Sequence, residues 1–246
     1  MPLAVYVKAA PKEKKIYRPR ITIKRTKNFD RFFFILMTIV GLSSMVFAAG
    51  PIFFWQIKTL PRMLKSVQNY PVPQQEVLSV KSTLASTVQI AQDPDGFSYF
   101  TTNYKPQEPR PSEFYLSIPK LEIEKALVKV DTIKFDKNLS LFPGAAIPGE
   151  IGNSFITGHS VLPQFFSADN YRTIFSHLSD LEVGDEVLVE LEGKQLRYVV
   201  QYSKIVDPHD LSVLAPISAN ARNLTLMSCV PPGTNSKRLV VITSLI

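Results

Sequence analysis

The chain has 246 residues, 45% of them hydrophobic and 20% charged, with 19 prolines, 10 glycines and a single cysteine. One cysteine excludes an internal disulfide and any four-cysteine or Cys₂His₂ zinc site, and a histidine metal centre would need nearly all of the three histidines. The formal charge of +7 would fit a nucleic-acid partner if it covered a folded domain, but it is confined to one end.

Residues 1–31 carry ten Lys/Arg against Glu13 and Asp30, whereas residues 112–246 carry twelve against fifteen acids. Residues 32–57 contain no charged residue and no histidine. As a helix, such a run is roughly 39 Å long, enough to span a bilayer core of about 30 Å. Trp55, Phe53 and Phe54 stand near its outer end, where aromatic rings suit the headgroup region. The basic flank predicts a cytoplasmic tail over 1–31 and an extracytoplasmic remainder, in a single-pass cell-membrane protein. The tail is then an orientation signal and a contact for anionic lipid, with no nucleic-acid partner expected. A cleaved signal peptide is the rival, since Val46-Phe47-Ala48 loosely fits a cleavage site. The long lead-in and the apolar run beyond that site favour a retained anchor.

Residues 58–111 contain seven prolines and many Ser, Thr and Gln, without a sustained apolar period. That composition predicts an extended stalk, with at most a short helix within 66–87. Residues 112–246 then have the size of one domain. Short alternating segments separated by Pro/Gly turns predict a mostly β sandwich or barrel. Val187, Val189 and Leu191 fall on one face of a strand, and Leu196, Tyr198, Val200 and Tyr202 on one face of the next. Segments 224–229 and 238–245 read as strands, and 170–178 is the best candidate for a helix.

Three residues stand out for chemistry. Cys229 ends an apolar strand and is followed at once by Pro231-Pro232-Gly233, a setting that holds a nucleophile rigidly beside an open loop. Arg238 opens the next strand; a hairpin would return its guanidinium to Cys229, where it could stabilise an oxyanion. His159 closes the segment 154–159 behind Gly158, the one histidine in a comparable strand-edge position. His177 reads as a surface helix residue and His209 as a turn residue.

The strings TGH at 157–159, LTLMSC at 224–229, PPG at 231–233 and RLVV at 238–241 resemble the sortase family of membrane-anchored cysteine transpeptidases. LSIPKL at 116–121, PGEIGNS at 148–154 and FSHLSDLEVGDEV at 175–187 extend the resemblance over 112–246. Ser228 stands where the family usually has Thr, and both supply a hydroxyl. The resemblance implies a closed eight-stranded β-barrel. It implies Cys229 as nucleophile, His159 as general acid/base, Arg238 as stabiliser of substrate and oxyanion, and Ser228 as a substrate contact. The implied substrates are surface proteins with a C-terminal LPxTG-like motif, resolved by an amine of a cell-wall precursor or a pilin lysine. No cofactor and no metal are expected; Glu122, Glu124 and Asp131 lack a calcium-loop pattern. Asp93-Pro94-Asp95-Gly96-Phe97 only loosely resembles the lid motif of pilin-assembling members, and no second membrane span is expected. An L,D-transpeptidase would have Gly before its cysteine, and a papain-like protease has Cys before His. The rival from another class is a non-catalytic, membrane-anchored surface domain that binds a partner.

Overall fold

The computed structural model describes residues 27–58, 61, 87–92, 98–106 and 109–246. The segments 1–26, 62–86 and 93–97 lie outside the described residues, and with them most of the basic tail, the short-helix stretch and the lid-like motif.

Helix α1 runs from Lys27 to Lys58, with Pro51 inside it. Its stretch Arg31–Phe54 has a mean hydropathy of 2.3 and is, among the described residues, the one helix long and apolar enough to cross a membrane. Phe34, Val46 and Phe47 are among its exposed side chains, the kind of surface that a bilayer covers.

Part of the expected stalk is folded. Strands β1 (Val88–Gln92) and β2 (Ser98–Thr102) pair as an antiparallel hairpin. The pairing has a local cause: buried Ser98 and Phe100 alternate with half-buried neighbours, a period of two that the Pro-rich average of 58–111 hides. Phe100 enters the core between Phe142 and Phe155, with ring centroids 6.4 and 6.3 Å away. Burying one such ring contributes on the order of 1.5–3 kcal/mol. Further on, Arg110 pairs with Asp131 at 3.0 Å, and Asp131 also accepts the Gly144 N–H. That carboxylate is therefore engaged in tying the incoming chain to the domain.

The domain itself is the expected barrel. Its strands are β3 (Glu113–Ile118), β4 (Ile123–Lys129), β5 (Leu139–Leu141), β6 (Gly152–Thr157), β7 (Glu186–Leu191), β8 (Lys194–Val206), β9 (Arg222–Val230) and β10 (Lys237–Leu245). They close in the order β10-β8-β7-β3-β4-β5-β6-β9. The β4–β5 and β6–β9 pairs are parallel and the other pairs antiparallel. Alternation decides which faces are inside: Phe114, Leu116 and Ile118 of β3, Val187 and Val189 of β7, and Tyr198 and Val200 of β8 are all buried. Leu239 to Ile242 of β10 are buried on both faces, as the unbroken apolar run predicts.

The segment 170–178 is not an α-helix but a chain of turns running into a 3₁₀ turn at Leu178–Asp180. Side-chain hydroxyls compete there with helical bonding. Thr173 Oγ1 donates to Ser167 and Asn170 carbonyls, and Ser176 Oγ donates to that of Thr173.

Candidate active site

The antiparallel pairing of β9 and β10 sets Cys229 directly opposite Arg238. The parallel pairing of β6 and β9 continues to Thr157 opposite Met227. Beyond it, the Gly158 N–H donates to the Met227 carbonyl at 3.2 Å, and Ser160 Oγ donates to the Cys229 carbonyl at 2.7 Å. His159 lies between those two bonds. The chain on either side of it is thus fastened to the strand that carries the sulfur. Backbone pairing thus puts all three residues singled out in the sequence at the same end of the barrel, where β6 and β9 finish and β10 begins.

Gly158 is needed for this approach. A β-carbon there would lie 2.6 Å from Phe175 Cδ2 and 2.7 Å from Leu139 Cδ2. We expect Gly158→Ala to cost about 1–3 kcal/mol through overpacking, read as a lower urea midpoint, and to turn His159 away. An unchanged midpoint would mean that Phe175 and Leu139 yield freely.

Arg238 is only 3% exposed. Its Nη1 donates to the carbonyls of Asn235 at 2.9 Å and Lys237 at 3.1 Å, and Nη2 donates to that of Ser98 at 2.7 Å. The planar fork is held by backbone acceptors from its own hairpin and from β2. Cys229 is half-buried; desolvation pushes its thiol pKa up, and the Arg238 charge acts in the opposite direction. His159 is half-exposed, with Nε2 3.4 Å from Asp136 Oδ1. Burial is the main cause that lowers its pKa; Asp136 raises it and Arg172 lowers it further. At neutral pH the pair is therefore mostly thiol and neutral imidazole. Sulfur attack then requires a proton to leave Sγ.

Beside the sulfur is a pocket of about 40 Å³ with apolar walls from Phe100, Phe135 and Phe142, lined also by Ser228, Cys229 and Arg238. Ser228 Oγ is buried and, among the described residues, has no hydrogen-bond partner. Burying an unpaired hydroxyl is costly. A larger groove of about 1040 Å³ lies at the opposite end of β6, along Ala145–Asn153, away from the sulfur.

The other histidines are occupied elsewhere. His177 sits in the turn segment, not in a helix, with Nδ1 2.8 Å from Asp180 Oδ2. His209 is a turn residue whose N–H donates to Asp207 Oδ1. Sequence reasoning missed Phe135 and Asp136, which contact the His159 ring, and the Ser98 carbonyl on Arg238. That last contact joins residues 140 positions apart, and nothing local marks it.

Comparison with known proteins assigns the barrel to one family. The family model described as a sortase domain matches residues 116–246, more than half of the chain. Sortase D of Bacillus subtilis is 26% identical over 143 residues, an alignment that covers 56% of this chain and 66% of that relative. The crystal structure of sortase C-3 from Streptococcus pneumoniae superposes with a TM-score of 0.51 at 28% identity, covering 78% of this chain and 90% of the other. Sortase A from Corynebacterium diphtheriae shares the fold, with a TM-score of 0.50 at 24% identity over 76% and 93% of the two chains. With its barrel order and the matched stretch from β3 to β10, the chain belongs to the sortase family.

Proposed function

We propose that this protein is a membrane-anchored cysteine transpeptidase that cleaves an LPxTG-like sorting motif and transfers the surface protein to an amine acceptor of the cell wall. In this reading the positively flanked helix leaves the tail cytoplasmic and the barrel outside. The observation that supports it most is the backbone pairing around Cys229, with Arg238 opposite it and His159 fastened alongside.

The proton on Sγ passes to His159 as the sulfur attacks the carbonyl carbon of the motif's Thr-like residue. The carbonyl oxygen takes up negative charge, and Arg238 stabilises it as a planar cationic donor. The C–N bond then breaks. His159 returns the proton to the departing amine, leaving a thioester on Cys229. An incoming amine attacks that thioester, gives a proton to His159, and releases the sulfur to be protonated again. The place of Ser228 among the residues lining the pocket beside the sulfur supports a role for it as a contact of the peptide.

The test is to incubate the full chain in detergent micelles with a library of sorting-motif peptides. Mass spectrometry of the peptide containing Cys229 then reports any acyl adduct. An adduct on motif peptides, released by added amine, is the expected result. Absence of an adduct, with Cys229 inert to mild alkylating reagents, would favour a non-catalytic partner-binding domain.

A further inference from the structure

The loop between β4 and β5 places two consecutive side chains on one imidazole. The ring of Phe135 lies 4.3 Å from that of His159, centroid to centroid, with the planes 46° apart. Asp136 brings Oδ1 to 3.4 Å from Nε2 of the same ring. The loop is braced at its base: Asn138 Nδ2 donates to the carbonyls of Lys134 and Leu139 at 3.0 and 2.7 Å, and Ser140 Oγ donates to that of Thr132. Arg172 approaches the same carboxylate oxygen, with Nε at 3.9 Å.

We propose that Asp136, with Phe135 beside it, is a positioning residue for His159: its carboxylate holds the proton on Nε2 and leaves Nδ1 to exchange protons with the sulfur and the amines. The proposal rests on the catalytic reading of His159 given above. A neutral imidazole carries one proton, and a carboxylate accepts but does not donate, so a carboxylate at Nε2 selects the Nε2–H tautomer. The phenyl ring fixes the plane about which the imidazole could otherwise turn. When the ring becomes charged, the carboxylate attracts it and the π-face of Phe135 supports it.

The charged groups facing the imidazole are Asp136 from this loop and Arg172 from the turn segment. Arg172 disfavours the imidazolium and Asp136 favours it. Removing Asp136 therefore leaves burial and Arg172 unopposed, and the ring should titrate at lower pH. Asp136 is itself 60% exposed, so solvent weakens the pair and a moderate loss of rate, roughly tenfold, is expected.

The experiment uses the full chain in micelles, as wild type, Asp136→Ala and Asp136→Asn, with ¹⁵N-labelled histidine. In the wild type we expect the neutral His159 ring as Nε2–H. Asp136→Ala should mix the tautomers, move the titration to lower pH and lower kcat about tenfold with KM little changed. Asp136→Asn retains an acceptor but not the charge, and should keep the tautomer while moving the titration the same way. A wild-type ring protonated on Nδ1 overturns the proposal, as does an Asp136→Ala protein that titrates and turns over like wild type. His159→Ala separates the two readings. If that variant keeps full transpeptidation, the catalytic assignment of His159 falls. If it is inactive while Asp136→Ala behaves as wild type, only the role of Asp136 falls.

Discussion

Cys229→Ala is expected to lower transpeptidation by roughly 10⁴-fold or more, since the chain has no second thiol to form the thioester. The fold should survive. The ties that hold this end of β9 are made by backbone atoms: the register with Arg238 and the Cys229 carbonyl that accepts from Ser160. Loss of a half-buried sulfur should cost about 1 kcal/mol, a small shift in a thermal melt. Full activity in this variant would remove the nucleophile assignment. The wild-type thiol also has a testable pH signature. Burial raises its pKa, with Arg238 opposing, and the thiolate is the species that alkylates. Below the pKa the rate with iodoacetamide rises tenfold per pH unit, so it should keep climbing beyond the pH at which free cysteine levels off. A plateau at or below that pH would mean that Arg238 outweighs burial.

The second large effect is expected from Arg238→Lys. The guanidinium reaches the carbonyls of Asn235 and Lys237 with one nitrogen and that of Ser98 with another. A lysine ammonium keeps the charge but gathers its donors at a single atom and cannot span those acceptors. Losing a preorganised donor at a developing oxyanion costs about 10²–10³ in kcat. A buried carbonyl left unpaired costs about 1–3 kcal/mol of stability as well. Because the charge beside the sulfur remains, alkylation of Cys229 should change much less than turnover. Parallel losses in both assays would show that Arg238 acts mainly on the thiol and not on the transferred carbonyl.

The parts legible in the sequence are those written as local patterns. The apolar run from Phe32 to Ile57 announces its helix by length alone, and the strands of Glu186–Leu191 and Lys194–Val206 announce their inner faces by alternation. The hairpin that pairs Arg238 with Cys229 was legible because a short loop over 231–236, opening on Pro-Pro-Gly, joins its strands. Long-range arrangements were not. The β1–β2 hairpin was lost in a Pro-rich average, its alternation too short to stand out until Phe100 is seen packed in the core. Asp136 and Phe135 sit in a loop whose sequence says nothing of a histidine more than twenty positions later. The segment 170–178 has helix-compatible residues, but its hydroxyls favour turns once the surroundings are fixed.

The last strand in chain order is also the one that closes the circle, lying between β8 and β9 and contributing Arg238 at its first turn outward. Its pairing with β9 is local in sequence, whereas β9 must also find β6, whose Gly152 lies opposite Arg222, and pairings of such long sequence separation form slowly. The sulfur therefore gains its guanidinium from a nearby hairpin, while the wall on its other side waits for the slower pairing with β6. A chain holding only that hairpin has Cys229 and Arg238 opposite each other but not His159, which the chain brings in only behind β6.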